Sequence, residues 1–445
     1  MCTGSSDPKR PSLKVTPNQP TIVFFPEGAY GPTNNCVGIG SVLRKRGCRV
    51  VFVIEESFAG TLAAKGFEEA VMRLKPKSAT EEQPGQFWKD FIRDTAPQFR
   101  KPTIEQLESF VKPVWKELID GAKYVNARLK EIFDEIRPDV IVEDNVVAFP
   151  AIVTSRIPWI RIVSCNPLEL KDPNLPPTFS GYPTNNRSGW KKFSDRYLDL
   201  LKEAHEGFSH FCVEVGAPPL PPGEFIWQSP YLNLYLYPAI ADYRRLHSLA
   251  SNWHRLDSCV RDTDEPFQIP SELRTGGGKL IYLSLGSLGS GDVELMNHLI
   301  AVLARSRQRV IVSKGPQHER IRLADNMWGA QFLPQTSILP KVDLVITHGG
   351  NNTVTECLYF GKPMIVLPLF WDQHDNAQRV HELGYGIRFA TYDFDESQFL
   401  TAIDRLLEDR RLRRRMARIA TSLHADPGTV RAADFIERLL IRAEA

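Results

Sequence analysis

Short apolar runs of strand length alternate along the chain with longer segments whose apolar positions recur at helical spacing. In the first half the runs are IVFF at 22 to 25, VVFVI at 50 to 54, VIV at 140 to 142 and IRIV at 160 to 163. A second series follows the glycine run Gly276-Gly277-Gly278, with LIYLSL at 280 to 285, VIVS at 310 to 313, LVIT at 344 to 347 and MIVL at 364 to 367. This rhythm of strand then helix predicts an α/β chain with two similar doubly wound sheets. Between the series, the segment from Trp253 to Gly278 carries charges, prolines and glycines but little periodicity, which places an interdomain linker at 252–277. The first domain then spans 21–251 and the second 278–425, with a last helical segment at 426–445 and a cleft between the domains as the candidate active site.

Two stretches stand outside the rhythm. Residues 1–20 are polar and proline-rich and lack the apolar centre of a signal peptide, so they read as a disordered leader. The proline-rich segment from Asn166 to Trp190 reads as a long loop. Its Phe179, Tyr182 and Trp190 either form a lip over a bound molecule or cover the core.

A length of 445 residues exceeds what one hydrophobic core usually serves. A formal net charge of +2 gives no electrostatic reason to expect nucleic acid. The seven cysteines, Cys2, Cys36, Cys48, Cys165, Cys212, Cys259 and Cys357, are scattered without a CxxC pair, against both a disulfide framework and a zinc site. With no apolar run long enough to span a membrane, the expectation is a cytoplasmic protein.

The densest chemistry lies between Leu344 and Gly386. There a strand ends at Thr347-His348, Gly349-Gly350 permit a tight turn, and a helix opens on Asn351, Asn352 and Thr353. The first amides of a helix have no intrahelical partner and carry the positive end of its dipole, so a diphosphate can be held there without a metal. Other motifs are weaker. Asp262-Thr263-Asp264 and Asp393-Phe394-Asp395 match a metal-binding DxD triplet that arises often by chance, and no metal is assigned. The glycines after Gly38 lack the third glycine of a dinucleotide loop. The arginine-rich run at 410 to 418 reads as a solvated helix face.

The pattern Phe332-Leu333-Pro334-Gln335, then His348-Gly349-Gly350-x-Asn352-Thr353-x-x-Glu356, then Gly361-x-Pro363, Pro368 and Asp372-Gln373 resembles the donor signature of the UDP-glycosyltransferase superfamily. The likeness is to its metal-independent, inverting, soluble bacterial-like members. It implies a GT-B fold of two Rossmann-like domains facing a cleft, with the last helix returning to brace the first domain. It also implies a donor site. Phe332, beside Leu333, would stack on uracil, and Gln335 would bond the base or ribose. Glu356 would accept both ribose hydroxyls. His348, Gly350, Asn352 and Thr353 would hold the diphosphate, and Ser287 either joins them or caps a turn. Asp372 and Gln373 would read the hexose, with Phe370 and Trp371 as pocket walls; glucose is the preferred sugar. The UDP-sugar donor is a substrate, and no cofactor is implied.

One position departs from the family pattern. The histidine that removes the acceptor proton is absent, and its place after the first strand falls on Pro32; no histidine occurs before Leu200. The partner aspartate corresponds to Asp144, beside Glu143. Three options follow: Asp144 or Glu27 acts directly as base; the acceptor is a phenol or other acidic group already ionised; or the chain binds UDP-sugar without transferring it, as a catalytically impaired regulatory protein. The leading expectation is transfer of a hexose to a small hydrophobic acceptor.

Overall fold

The computed structural model describes residues 19–76, 90, 94–262 and 265–443. The leader expected at 1–20, apart from Gln19 and Pro20, lies outside the described residues, as do Thr263 and Asp264 of the first DxD triplet.

The first sheet contains β1 (Thr21–Pro26), β2 (Arg49–Glu55), β3 (Glu68–Met72), β4 (Val140–Asp144), β5 (Trp159–Val163), β6 (Leu232–Leu236) and β7 (Trp253–Leu256), in the order β3-β2-β1-β4-β5-β6-β7. The second contains β8 (Leu280–Ser284), β9 (Arg309–Ser313), β10 (Met327–Ala330), β11 (Leu344–Thr347), β12 (Met364–Val366) and β13 (Gly386–Arg388), in the order β10-β9-β8-β11-β12-β13. Neighbouring strands in both sheets are parallel. Parallel strands covered on both faces need apolar residues on both, which is why their sequences read as continuous apolar runs.

The longer helices are α1 (Tyr30–Lys45), α2 (Lys112–Ile136), α3 (Trp190–Glu214), α4 (Val293–Leu303), α5 (Asn351–Tyr359), α6 (Gln373–Glu382), α7 (Glu396–Glu408), α8 (Arg410–His424) and α9 (Gly428–Ala443). On one face of the first sheet Ile22, Phe24 and Val142 pack with Ile39 and Leu43 of α1 and with Ala433 and Ile436 of α9. On the other, Val23, Phe25 and Ile141 pack with Val125 and Leu129 of α2, in a core that continues into the second half. The last helix lies against α1, β6 and β7. Asp395, from the second DxD triplet, caps α7 by accepting from the Gln398 amide at 2.7 Å. No helix among the described residues is long and apolar enough to cross a membrane.

The linker expected at 252–277 begins too early. Trp253–Leu256 pairs with β6 as the last strand of the first sheet, so the crossing segment starts after Leu256. The polar centre of that strand, His254-Arg255, hides it from a reading based on apolar runs.

Strand order reverses between β1 and β4 in the first sheet and between β8 and β11 in the second. Doubly wound sheets form ligand crevices beyond the carboxyl ends of strands at such points. Glu27 follows β1 and Asp144 ends β4, while Gly286 and His348 follow β8 and β11 closely.

Candidate active site

At the switch point of the second sheet, backbone geometry sets the position of His348. Gly349 has φ 88°, and a Cβ there would stand 2.6 Å from Val366 Cγ1, so the turn into α5 requires glycine. Gly286 has φ 73°, and a Cβ there would stand 2.7 Å from the His348 ring; a Cβ on Gly350 would stand equally close to it, at 2.7 Å. The imidazole therefore lies between two residues that leave it room. Burial holds the His348 pKa down at about 4, so near neutral pH the ring is uncharged and has one N–H to donate.

The other donor-signature residues form a connected set along α5. Gln335 Nε2 donates to Glu356 Oε2 at 2.6 Å and to Thr353 Oγ1 at 3.3 Å. Glu356 is buried, and its Oε1 accepts from Arg261 Nη1 at 2.8 Å. Phe332, next to the partly buried Leu333, is 50% exposed, which leaves its ring free to cover a flat ligand. Ser287 lies in a short helix at Gly286–Gly289, and its side chain lies outside what the structure describes.

Asn352, Asn351 and Asp372 also bond across the two halves. Asn352 Nδ2 donates to Gly31 O at 2.8 Å, and Asn352 Oδ1 accepts from Asn35 Nδ2 at 2.9 Å. Asn351 Nδ2 reaches Ser164 O at 2.8 Å. Asp372 Oδ2 accepts from the Asn166 amide at 2.8 Å. The Gln373 side chain turns back on its own loop, with Oε1 accepting from the amides of Leu369 at 3.0 Å and Phe370 at 3.3 Å. Phe370 and Trp371 do not stand as free pocket walls: Phe370 packs on Phe99 and Phe110, and Trp371 lies on Phe179 at 4.1 Å between ring centroids. Phe179 and Trp190 are buried and Tyr182 packs edge-on against Phe193, so the loop aromatics cover the core.

The first half contains a cavity of about 260 Å³ beside its own switch point. Among the described residues its walls include Phe25, Met72, Leu118, Val146 and Phe149, and Glu27 and Asn145 face it at the strand ends. Burial, reinforced by the charge of Asp372, pushes the Glu27 pKa up to about 7. Glu27 thus belongs to the cavity and feels the second half's carboxylate.

Asp144 and Glu143 are not among the described residues that line the cavity. Asp144 Oδ1 accepts from Ser164 Oγ at 2.8 Å, and its backbone carbonyl accepts from the Glu27 amide at 2.9 Å. Its Oδ2 has no hydrogen-bond partner among the described residues. Burial raises Asp144 to about 7 against the Ser164 bond. Burial likewise raises Glu143 to about 8 despite Arg161. The strand alternation that turns these two carboxylates to opposite sides brings neither to the cavity wall; the residue that does reach it lies after β1. Pro32 occupies the first turn of α1, where its missing N–H is no loss.

Sequence reasoning misses Arg261 and Asn166. Arg261 sits in a stretch without periodicity, and Asn166 in a loop whose partners lie 206 and 210 residues away, on α6 and the turn before it. Nothing local in the sequence marks either one.

Comparison with known proteins agrees with this architecture. Residues 258–435 match the family model described as UDP-glucoronosyl and UDP-glucosyl transferase. The chain is 23% identical to the NDP-glycosyltransferase YjiC of Bacillus subtilis (strain 168), over 93% of its own length and 95% of that protein. It is 24% identical to the zeaxanthin glucosyltransferase of Pantoea ananas, over 70% of this chain and 74% of that one. The solved structure of the glycotransferase of kitacinnamycin matches its fold with a TM-score of 0.68 and 21% identity, covering 95% of this chain and 100% of the other. Residues 258–435 thus resemble the UDP-glucoronosyl and UDP-glucosyl transferase family, and the chain, with its two parallel sheets, has the GT-B fold.

Proposed function

We propose that the protein is an inverting, metal-independent glycosyltransferase that moves a hexose, glucose by preference, from UDP to a small hydrophobic acceptor. The observation that carries this reading is the position of Glu27, which faces an apolar cavity of about 260 Å³ and interacts electrostatically with Asp372 of the donor half. The zeaxanthin glucosyltransferase among its relatives is consistent with an apolar acceptor.

In this reading the acceptor hydroxyl lies in the cavity and Glu27 takes its proton. The acceptor oxygen bonds to the anomeric carbon from the side opposite UDP as the bond from that carbon to the phosphate oxygen breaks. Negative charge then grows on the departing UDP. The His348 N–H and the first amides of α5 are fixed donors for that charge, so they stabilise the transition state more than the ground state. With Pro32 at the place of the family histidine, Glu27 takes over its task. A base with a pKa near the working pH is suited to this role. The backbone carbonyl of Asp144 holds the Glu27 amide.

The test is mass-spectrometric detection of products after incubation with UDP-glucose and acceptors graded from acidic phenols and thiols to aliphatic alcohols. Products extending to the alcohols are expected, since a working base removes the need for an ionised acceptor. Products confined to the acidic end would remove Glu27 from the mechanism. UDP binding without any product would favour a regulatory protein that binds nucleotide sugar.

A further inference from the structure

Among the described residues Glu356 has two donors, one on each carboxylate oxygen. Gln335 comes from the second half, but Arg261 comes from the segment that crosses between halves. The Arg261–Glu356 pair is well shielded, with side-chain exposures of 20% and 4%. The crossing segment packs on α1 at Gly38: a Cβ there would stand in ordinary contact, 3.6 Å, with both Arg261 Cα and Cys259 O. The backbone that carries the guanidinium therefore packs directly on α1, and the guanidinium itself is held by its bond to Glu356.

A carboxylate has about four acceptor positions, two on each oxygen. The bonds from Arg261 and Gln335 use one on each, which leaves one on each for two further donors. Adjacent hydroxyls of a ribose match that arrangement. A flexible carboxylate could satisfy one hydroxyl at a time; one fixed at both oxygens favours both together.

We propose that Arg261 is a positioning residue that sets the plane of Glu356, so that the site selects ribonucleoside diphosphates over their 2′-deoxy counterparts. The proposal rests on the donor reading of the α5 site. Arg261 touches neither the sugar nor the reacting atoms, and its effect passes through Glu356.

The experiment is calorimetric titration of the full chain with UDP and with 2′-deoxy-UDP. Wild type is expected to favour UDP by about 10- to 100-fold, the usual scale of a hydrogen bond to a charged group. Arg261→Met should bring the two affinities within about threefold of each other, mainly through weaker UDP binding. Arg261→Lys keeps the charge without the planar fork, so an intermediate ratio is expected, and it serves as the test should the methionine variant fail to fold. A merely structural role would weaken both ligands alike and leave the ratio unchanged. A wild-type ratio retained in the folded variants would overturn the proposal alone, as would a ratio near one in wild type. Failure of folded wild type to bind UDP would overturn the donor reading with it.

Discussion

Glu27 places one carboxyl group at an apolar cavity and within the field of Asp372 of the second half. If it is the base, Glu27→Gln should lower kcat by about 100- to 10,000-fold, the usual range for general-base assistance, with UDP affinity nearly unchanged. The base works only when ionised, and its pKa is raised to about 7. Activity should therefore rise with pH through neutrality and level off above it, a profile that initial rates from about pH 5 to pH 9 would check. A flat profile would point to another group. At this scale the sequence names Glu27 beside Asp144, but which one reaches the cavity depends on where the chain goes after β1 and β4. The same limit applies to Gln373 and Asn352. Their motif positions are legible, whereas the partners of Asn352 come from a distant segment and the inward turn of Gln373 depends on how its loop closes.

The α5 site is an element held by its turn. Gly349→Ala would place a Cβ 2.6 Å from Val366 Cγ1 at φ 88°, so it should cost about 1–3 kcal/mol in backbone strain alone. Urea unfolding would measure the loss, and a parallel fall in UDP affinity would follow from the displaced helix start. The strands show what can be read at this scale. Those at the sheet centres, such as β1, β4, β8 and β11, are buried throughout and announce themselves as apolar runs. The edge strand β3 is EEAVM, and its glutamates turn to a neighbouring strand or loop, as Glu68 does to Arg49 and Glu69 to the amides of Leu62 and Ala63. The interior strand β6 escapes the apolar pattern for another reason. Asn233 interrupts its run, yet it is fully buried because its side chain bonds the backbone of Ser229 in both directions.

Across the whole molecule, buried carboxylates gather where the halves meet and around it. Burial is the leading cause that raises Glu27, Asp144 and Glu169 to about 7, Glu143 and Asp375 to about 8, and Asp372 to about 6. The folded protein therefore keeps protons that the unfolded chain, with carboxyl pKa values of about 4, releases. Their stabilising contribution is full below the unfolded values and is lost as pH rises through the folded ones, about 6 to about 8. The contribution of these groups to the melting temperature should accordingly fall between about pH 4 and pH 8, which differential scanning fluorimetry would detect. Stability that rose over this range would contradict the protonated state of these groups. Ligand binding that needs them ionised would then oppose the fold's own preference.

The contact of Phe179 with Trp371 has a dynamic consequence. Both residues have positive φ, 68° and 56°, a conformation that residues with side chains rarely adopt, and each comes from a different half. Drawing the halves apart would break this contact between the rings. The joint therefore acts as a catch between the halves. Because the catch contains an indole, its release carries an optical signal: Trp371 emission should shift to longer wavelength as Phe179 withdraws and water arrives, and Trp371→Phe should remove that change.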